Sequence, residues 1–284
     1  MQLTDAGRHA TIIDNFDRVL IDARRRKKGR DTALVTVIGV GILVVFIGAW
    51  ELAYLTGLVK PIFISDPQDV AAALWSLLTM PATWSAMLAT FSAALGGLVA
   101  GALLGIGWGI VLAHMPVLRR AMRPYLTIFN AFPRPAFAPI FIMWFGLGAL
   151  PKITVAVTIV FFVLLYNTMV GIMSVDPDIE FLSRSLGMTK WQRFRMVELP
   201  HAMPTIVAGL RLGAVYSVLG VVVSEIVAAH EGLGQLLVQY TNEFAIAASF
   251  AVLALMAFLA VILDLGVSLI QRRLSWSQEP SLET

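Results

Sequence analysis

Residues 87–114 read MLATFSAALGGLVAGALLGIGWGIVLAH, a run without a single Asp, Glu, Lys or Arg. A bilayer core of about 30 Å is crossed by roughly 20 helical residues, so a run of this length and polarity reads as a membrane span. Within it Gly97, Gly101 and Gly105 recur at every fourth position. Small residues at that spacing share one helix face and let two backbones approach closely. The span therefore belongs to a packed bundle.

Five further runs meet the same test: 33–55, 124–145, 150–173, 203–228 and 244–270. Composition agrees. Of the 284 residues 58% are hydrophobic and only 14% are charged, and the mean hydropathy is +0.81. A soluble domain carries about 25% charged residues, enough to coat its surface; this chain does not. The expected fold class is all-α, a polytopic membrane protein with six spans. The chain has no cysteine, which excludes disulfide frameworks, thiol nucleophiles and Cys-ligated metals.

The basic residues set the expected orientation. Arg24, Arg25, Arg26, Lys27, Lys28 and Arg30 precede the first span. Arg119, Arg120 and Arg123 separate the second from the third. Arg184, Lys190, Arg193 and Arg195 separate the fourth from the fifth, and Arg272 and Arg273 follow the sixth. Only Lys60 and Lys152 fall on the other side, fifteen against two. Both termini are expected in the cytoplasm. The net charge of +3 is thereby a topology signal, and nucleic acid is not needed to explain it.

Three regions follow: a cytoplasmic segment 1–32, a membrane domain 33–274 and a cytoplasmic tail 275–284. The first is no cleaved signal peptide, because it lacks an apolar core. Ile12, Ile13, Phe16, Val19 and Leu20 recur near helical spacing, which predicts an amphipathic surface helix over 8–26. Outside, Asp66 before Pro67 suits a helix start, with a short helix reaching Leu78.

The loop 176–204 is too long for a connector. Asp176 can cap a helix beginning at Pro177. Gly187 can end it, since glycine accepts the left-handed conformation. Thr189 with Gln192 three residues later forms a capping-box pattern that opens a second helix. Leu199-Pro200 and Pro204 are expected to break the chain before the fifth span. Two short helices meeting at Gly187 would suit docking into a groove on another protein.

This loop resembles the EAA loop of ABC-importer permeases. Gly187, Val197, Leu199 and Pro200 match its latter part. Ser185-Leu186-Gly187-Met188-Thr189-Lys190-Trp191-Gln192-Arg193-Phe194 and Gly209-Leu210-Arg211-Leu212 are similar as well. The start departs: Phe181-Leu182-Ser183 stand where Glu-Ala-Ala would fall, and Glu180 comes one residue early. Trp50-Glu51-Leu52, Pro133-Arg134, Trp144-Phe145-Gly146-Leu147-Gly148 and Glu225 followed by Gly232-Leu233-Gly234 resemble the nitrate/sulfonate/taurine-type subfamily.

The resemblance implies the six-helix type I importer permease fold in a bacterial plasma (inner) membrane. It implies a pathway of two permease subunits, a homodimer, served by two ATPase subunits and a soluble binding protein. The coupling helix would then comprise Glu180, Phe181, Leu182, Ser183, Ser185, Leu186, Gly187, Met188, Thr189 and Trp191, with Leu199 and Pro200 closing the motif. The implied solute is a small anion such as nitrate, a sulfonate or taurine. ATP and Mg would sit on the partner ATPase, because this chain has no Gly-x-x-x-x-Gly-Lys-Ser/Thr loop.

Nothing in the sequence marks an enzyme. His9, His114, His201 and His230 are scattered without metal-ligand spacing, and no cofactor is expected. Charges inside spans carry more meaning, because they are costly there. Arg134, Arg211 and Asp264 fall at similar depth, and either arginine is a candidate partner for Asp264 or an attractor for an anion. Glu51 and Glu225 fall near the outer ends of their spans, where interfacial or structural roles are expected. The competing function is a secondary transporter or channel not driven by ATP, for which the Pro133, Pro135 and Pro139 cluster is the best argument.

Overall fold

A computed structural model describes residues 34–58, 60, 63–228 and 231–274. The expected amphipathic helix at 8–26 and the tail at 275–284 lie outside the described residues. The chain divides into two compact units, Met1–Pro67 and Gln68–Thr284. In the first, α1 (Leu34–Leu55) is an apolar helix long enough to cross a membrane. Near its end the Trp50 indole donates to the Ser65 carbonyl at 3.0 Å. Glu51 follows Trp50 on the same helix.

The second unit is helical throughout its described regular structure. Its elements are α2 (Pro67–Thr79), α3 (Pro81–His114), α4 (Pro116–Ala131), a 3-10 turn (Arg134–Phe137), α5 (Ala138–Phe145) and α6 (Ala149–Met173). Then come α7 (Pro177–Ser185), α8 (Lys190–Arg193), a π-helical turn (Phe194–Glu198), α9 (Leu199–Ala228), α10 (Leu233–Asn242) and α11 (Ile246–Leu274). Helix α2 begins at Pro67, as its sequence suggests.

Helices α3, α6 and α9 form the centre, and α10 and α11 pack on α9. The small-residue face of α3 makes the central contact. A Cβ added at Gly101, Gly105 or Gly109 would lie within 3.0 Å of Val160, Leu164 or Thr168 respectively. Gly97 meets Ala156 in the same way. Every fourth residue of α3 thus faces every fourth residue of α6, and the ladder runs one turn beyond the three glycines noted in the sequence. With no hydrophobic driving force between helices in lipid, this close approach is what binds them.

Five described helices are long and apolar enough to span a membrane, and a bent pair makes a sixth. The bent pair corrects the sequence reading of 124–145 as one continuous span. Pro116–Ala131 and Arg134–Phe145 meet at 79°. Phe132 precedes Pro133, and proline forces the residue before it out of the helical region; Phe132 accordingly sits at φ −65° and ψ 136°. Pro135 then removes a second donor.

A second correction concerns Pro200 and Pro204. They do not break the chain, since Lys190–Val227 runs as one helix. The π-helical turn Phe194–Glu198 lies directly before Pro200. Its wider ladder absorbs the proline ring and the missing N–H.

Candidate coupling site

The corner between α7 and α8 is built by three local devices. The Asp176 carboxylate accepts from the Asp178 N–H at 2.8 Å and caps α7. At the other end, Met188 N–H donates to the Ser183 carbonyl at 3.2 Å and Gly187 N–H to Arg184 at 3.0 Å. This pair of bonds is a Schellman closure, and it puts Gly187 at φ +72°. Thr189 and Gln192 then exchange bonds: Thr189 N–H donates to Gln192 Oε1 at 2.8 Å, and Gln192 N–H donates to Thr189 Oγ1 at 3.3 Å.

The corner turns apolar side chains outward. Phe181, Leu182, Leu186 and Trp191 are 73%, 58%, 71% and 66% exposed. Ser185, Thr189 and Gly187 are exposed beside them, and Met188 is half-buried. Of the remaining residues of the motif, Ser183 and Leu199 face inward. Ser183 is buried and donates to the Glu180 carbonyl at 2.7 Å. Leu199 packs on the core, and Pro200 opens α9 at an exposed position.

A charge relay missed by the sequence reading ties this corner to the bundle. Glu198 is buried. Its Oε2 lies 2.6 Å from His114 Nε2 at the end of α3, and its Oε1 accepts from Arg193 Nε at 2.8 Å. Arg193 also lies 3.9 Å from Glu180, which accepts from Arg184 at 2.5 Å. Four elements are therefore linked: α3, the π-helical turn that leads into α9, α8 and α7. His114 reads in sequence as an ordinary interfacial histidine, and Glu198 stands 84 residues away from it. Their pairing has no local signature.

Glu225 anchors the opposite end. Its carboxylate accepts from Thr90 Oγ1 at 2.9 Å, from Lys152 Nζ at 3.2 Å and from Gly234 N–H at 2.9 Å. Leu233 N–H donates back to Thr90 at 2.9 Å, and Lys152 also donates to the Glu231 carbonyl at 2.7 Å. The side chains of Glu225 and Lys152 are 0% and 4% exposed. The glycines that follow are explained by this knot. A Cβ at Gly232 or Gly234 would collide with the Glu225 side chain. Lys152, counted above as a basic residue on the outer side, is thus an ion-pair partner and carries no topology information.

Arg211 and Asp264 form a bidentate pair, with bonds of 2.9 and 3.0 Å between α9 and α11. Arg134 is held differently. It donates to the Asn130 carbonyl at 3.3 Å and to its side-chain oxygen, and its guanidinium lies 4.5 Å from the centre of the Phe162 ring. Its Nε is buried without a hydrogen-bond partner. Asp264 is therefore the partner of Arg211 and not of Arg134. No group of three or more metal-ligating side chains occurs among the described residues.

These features define a class: a polytopic helical transport subunit with a protruding two-helix corner. The chain belongs to the family of binding-protein-dependent transport system inner membrane components, whose model matches residues 101–276. It is the permease subunit of an ATP-driven ABC importer. The taurine transport system permease protein TauC of Escherichia coli is 31% identical over 91% of this chain and 96% of its own length. The riboflavin transport system permease protein RibX of Chloroflexus aurantiacus is 35% identical over 75% of this chain and 80% of its own. The putative aliphatic sulfonates transport permease protein SsuC of Bacillus subtilis is 28% identical over 89% and 91%. Among solved structures, a chain of the inward-facing MetNI methionine ABC transporter has a TM-score of 0.61 at 20% identity, covering 69% of this chain and 99% of that one. That likeness concerns the fold.

Proposed function

We propose that two copies of this chain line one pathway, and that the corner at Gly187 of each docks into an ATPase subunit which carries ATP and Mg. A soluble binding protein delivers solute from outside. Both termini and the corner face the cytoplasm of a bacterial inner membrane. The observation that carries this reading is the corner itself. Phe181, Leu182, Leu186 and Trp191 present an apolar face on a capped, ion-paired mount, as a helix meant for a groove would. A motion imposed there reaches α3 and α9 through Glu198.

The solute is a small anion of the taurine or sulfonate type. Two of the named relatives carry such solutes in their names. The broken span supports the same choice. Arg134 sits beside the break with no carboxylate partner among the described residues, and an unneutralised charge inside a span usually faces a cavity.

Gly187 provides the test. Its positive φ disfavours a β-branched residue, while Asn tolerates that region. No atom lies within 4 Å of a Cβ built there, so any penalty is conformational and not steric. Gly187→Val is expected to insert normally but to lose co-purification with the ATPase subunit and ATP-driven uptake of taurine. Gly187→Asn should retain most of both. Equal behaviour of the two variants would remove the corner from the coupling role.

A further inference from the structure

Helix α4 brings Arg120, Arg123 and Thr127 onto one face, at i, i+3 and i+7. That face opens on a cavity of about 390 Å³ against α6, which Arg119, Tyr166 and Met169 also line. No carboxylate lines it. Arg119 turns away from it, donating to the Met173 sulfur at 2.7 Å beside a neighbouring pocket that Glu180 and Glu198 also line. Arg120, Arg123 and the Tyr166 hydroxyl have no hydrogen-bond or ion-pair partner among the described residues. A topology signal is met by arginines spread into water. Arg120 and Arg123, one helical turn apart on a cavity with no acid in its lining, repel each other and call for a counter-anion.

The same helix identifies the anion's source. Tyr125, Ile128 and Phe129 are 58%, 56% and 55% exposed on α4. At 3.6 residues per turn they fall on the face opposite the arginines, so α4 is an amphipathic helix of the kind that lies at a bilayer surface with its donors at headgroup level. Guanidinium forks match phosphate oxygens. Basic pockets between membrane helices are a known way of holding anionic headgroups.

We propose that the cavity between α4 and α6 binds the phosphate of an anionic phospholipid, with Arg120 and Arg123 as its principal donors. The site neighbours Arg134, which sits over the Phe162 ring beside Tyr166, and it does not depend on which solute is carried. The purified protein in detergent is titrated with phosphatidylglycerol, with phosphatidylcholine and with inorganic phosphate. Bound species are read by native mass spectrometry, with the melting temperature alongside. Phosphatidylglycerol is expected to bind and to raise the melting temperature, and phosphatidylcholine to do neither. Arg120→Gln with Arg123→Gln should weaken phosphatidylglycerol binding roughly ten- to thirty-fold. Arg195→Gln, an exposed arginine that does not line the cavity, should leave it unchanged. If the double variant folds poorly, the contrast between the two lipids on the parent protein still decides. Equal binding of the two lipids would overturn the proposal, as would an unchanged double variant. Inorganic phosphate binding as tightly as the lipid would make this a free-phosphate site instead. Loss of the ATPase subunit with lipid binding intact would make it a protein surface.

Discussion

Glu225 shows how a single residue can organise distant segments. Its carboxylate gathers α3, α6, α9 and the turn into α10, and the absence of side chains at Gly232 and Gly234 makes room for it. A buried ion pair is not in itself a large source of stability, since desolvation offsets the attraction. Breaking one side is another matter, because it strands the other charge. Glu225→Gln and Lys152→Met are each expected to destabilise the protein by about 3–5 kcal/mol. The double change should fall short of the sum by roughly 1–3 kcal/mol. Detergent unfolding of the four proteins measures this, and strict additivity would show that the two side chains do not act as a pair. Arg211 and Asp264 form a different kind of pair, more open, with side chains 49% and 24% exposed.

At the scale of elements, the α3–α6 contact depends on absent side chains. A Cβ at Gly105 would meet the Phe161 backbone oxygen and Leu164 Cβ, and a backbone atom cannot step aside. Gly107 lies on another face of the same helix with nothing within 4 Å of its Cβ position. The two positions share helix propensity and differ only in packing. Gly105→Ala is expected to lower stability by about 1–3 kcal/mol through overpacking. Gly107→Ala should raise it by about 0.5–1 kcal/mol, the usual gain from replacing a helical glycine. Melting both variants in detergent checks the sign of each, and a stabilising Gly105→Ala would mean that the helices stand further apart.

For the molecule as a whole, the open question is which end faces the cytoplasm. With Lys152 withdrawn from the count, the basic residues still favour the end that bears the coupling corner. The chain is free of cysteine, so single cysteines report sidedness cleanly. The probes must be exposed. Ser65 and Ser183 are buried and would stay unlabelled on either side. Thr241 on α10 and Ser185 on α7 are exposed. A membrane-impermeant maleimide added to intact spheroplasts should label Thr241→Cys at once and Ser185→Cys only after lysis. The reverse pattern would invert the topology.

What the sequence determined by itself was everything set by local chemistry and by polarity. Membrane spans follow from run length. The corner at Gly187 follows from a cap, a glycine and a capping box, all between Asp176 and Gln192, and all of them form as read. Three glycines of the ladder are legible because their period is that of one helix. The tertiary structure alone decided which distant residues meet. Glu198 with His114, Glu225 with Lys152 and Asp264 with Arg211 in place of Arg134 are separated by 84, 73 and 53 positions. No spacing rule connects such pairs; the helix register that packing imposes does. The proline cluster announces a break in the third span, but its 79° angle is a property of the helices packed around it. Pro200 shows the converse. Its local rule predicts a stop, and the wider turn ahead of it lets the helix, held by its contacts with α3, α6 and α11, run on.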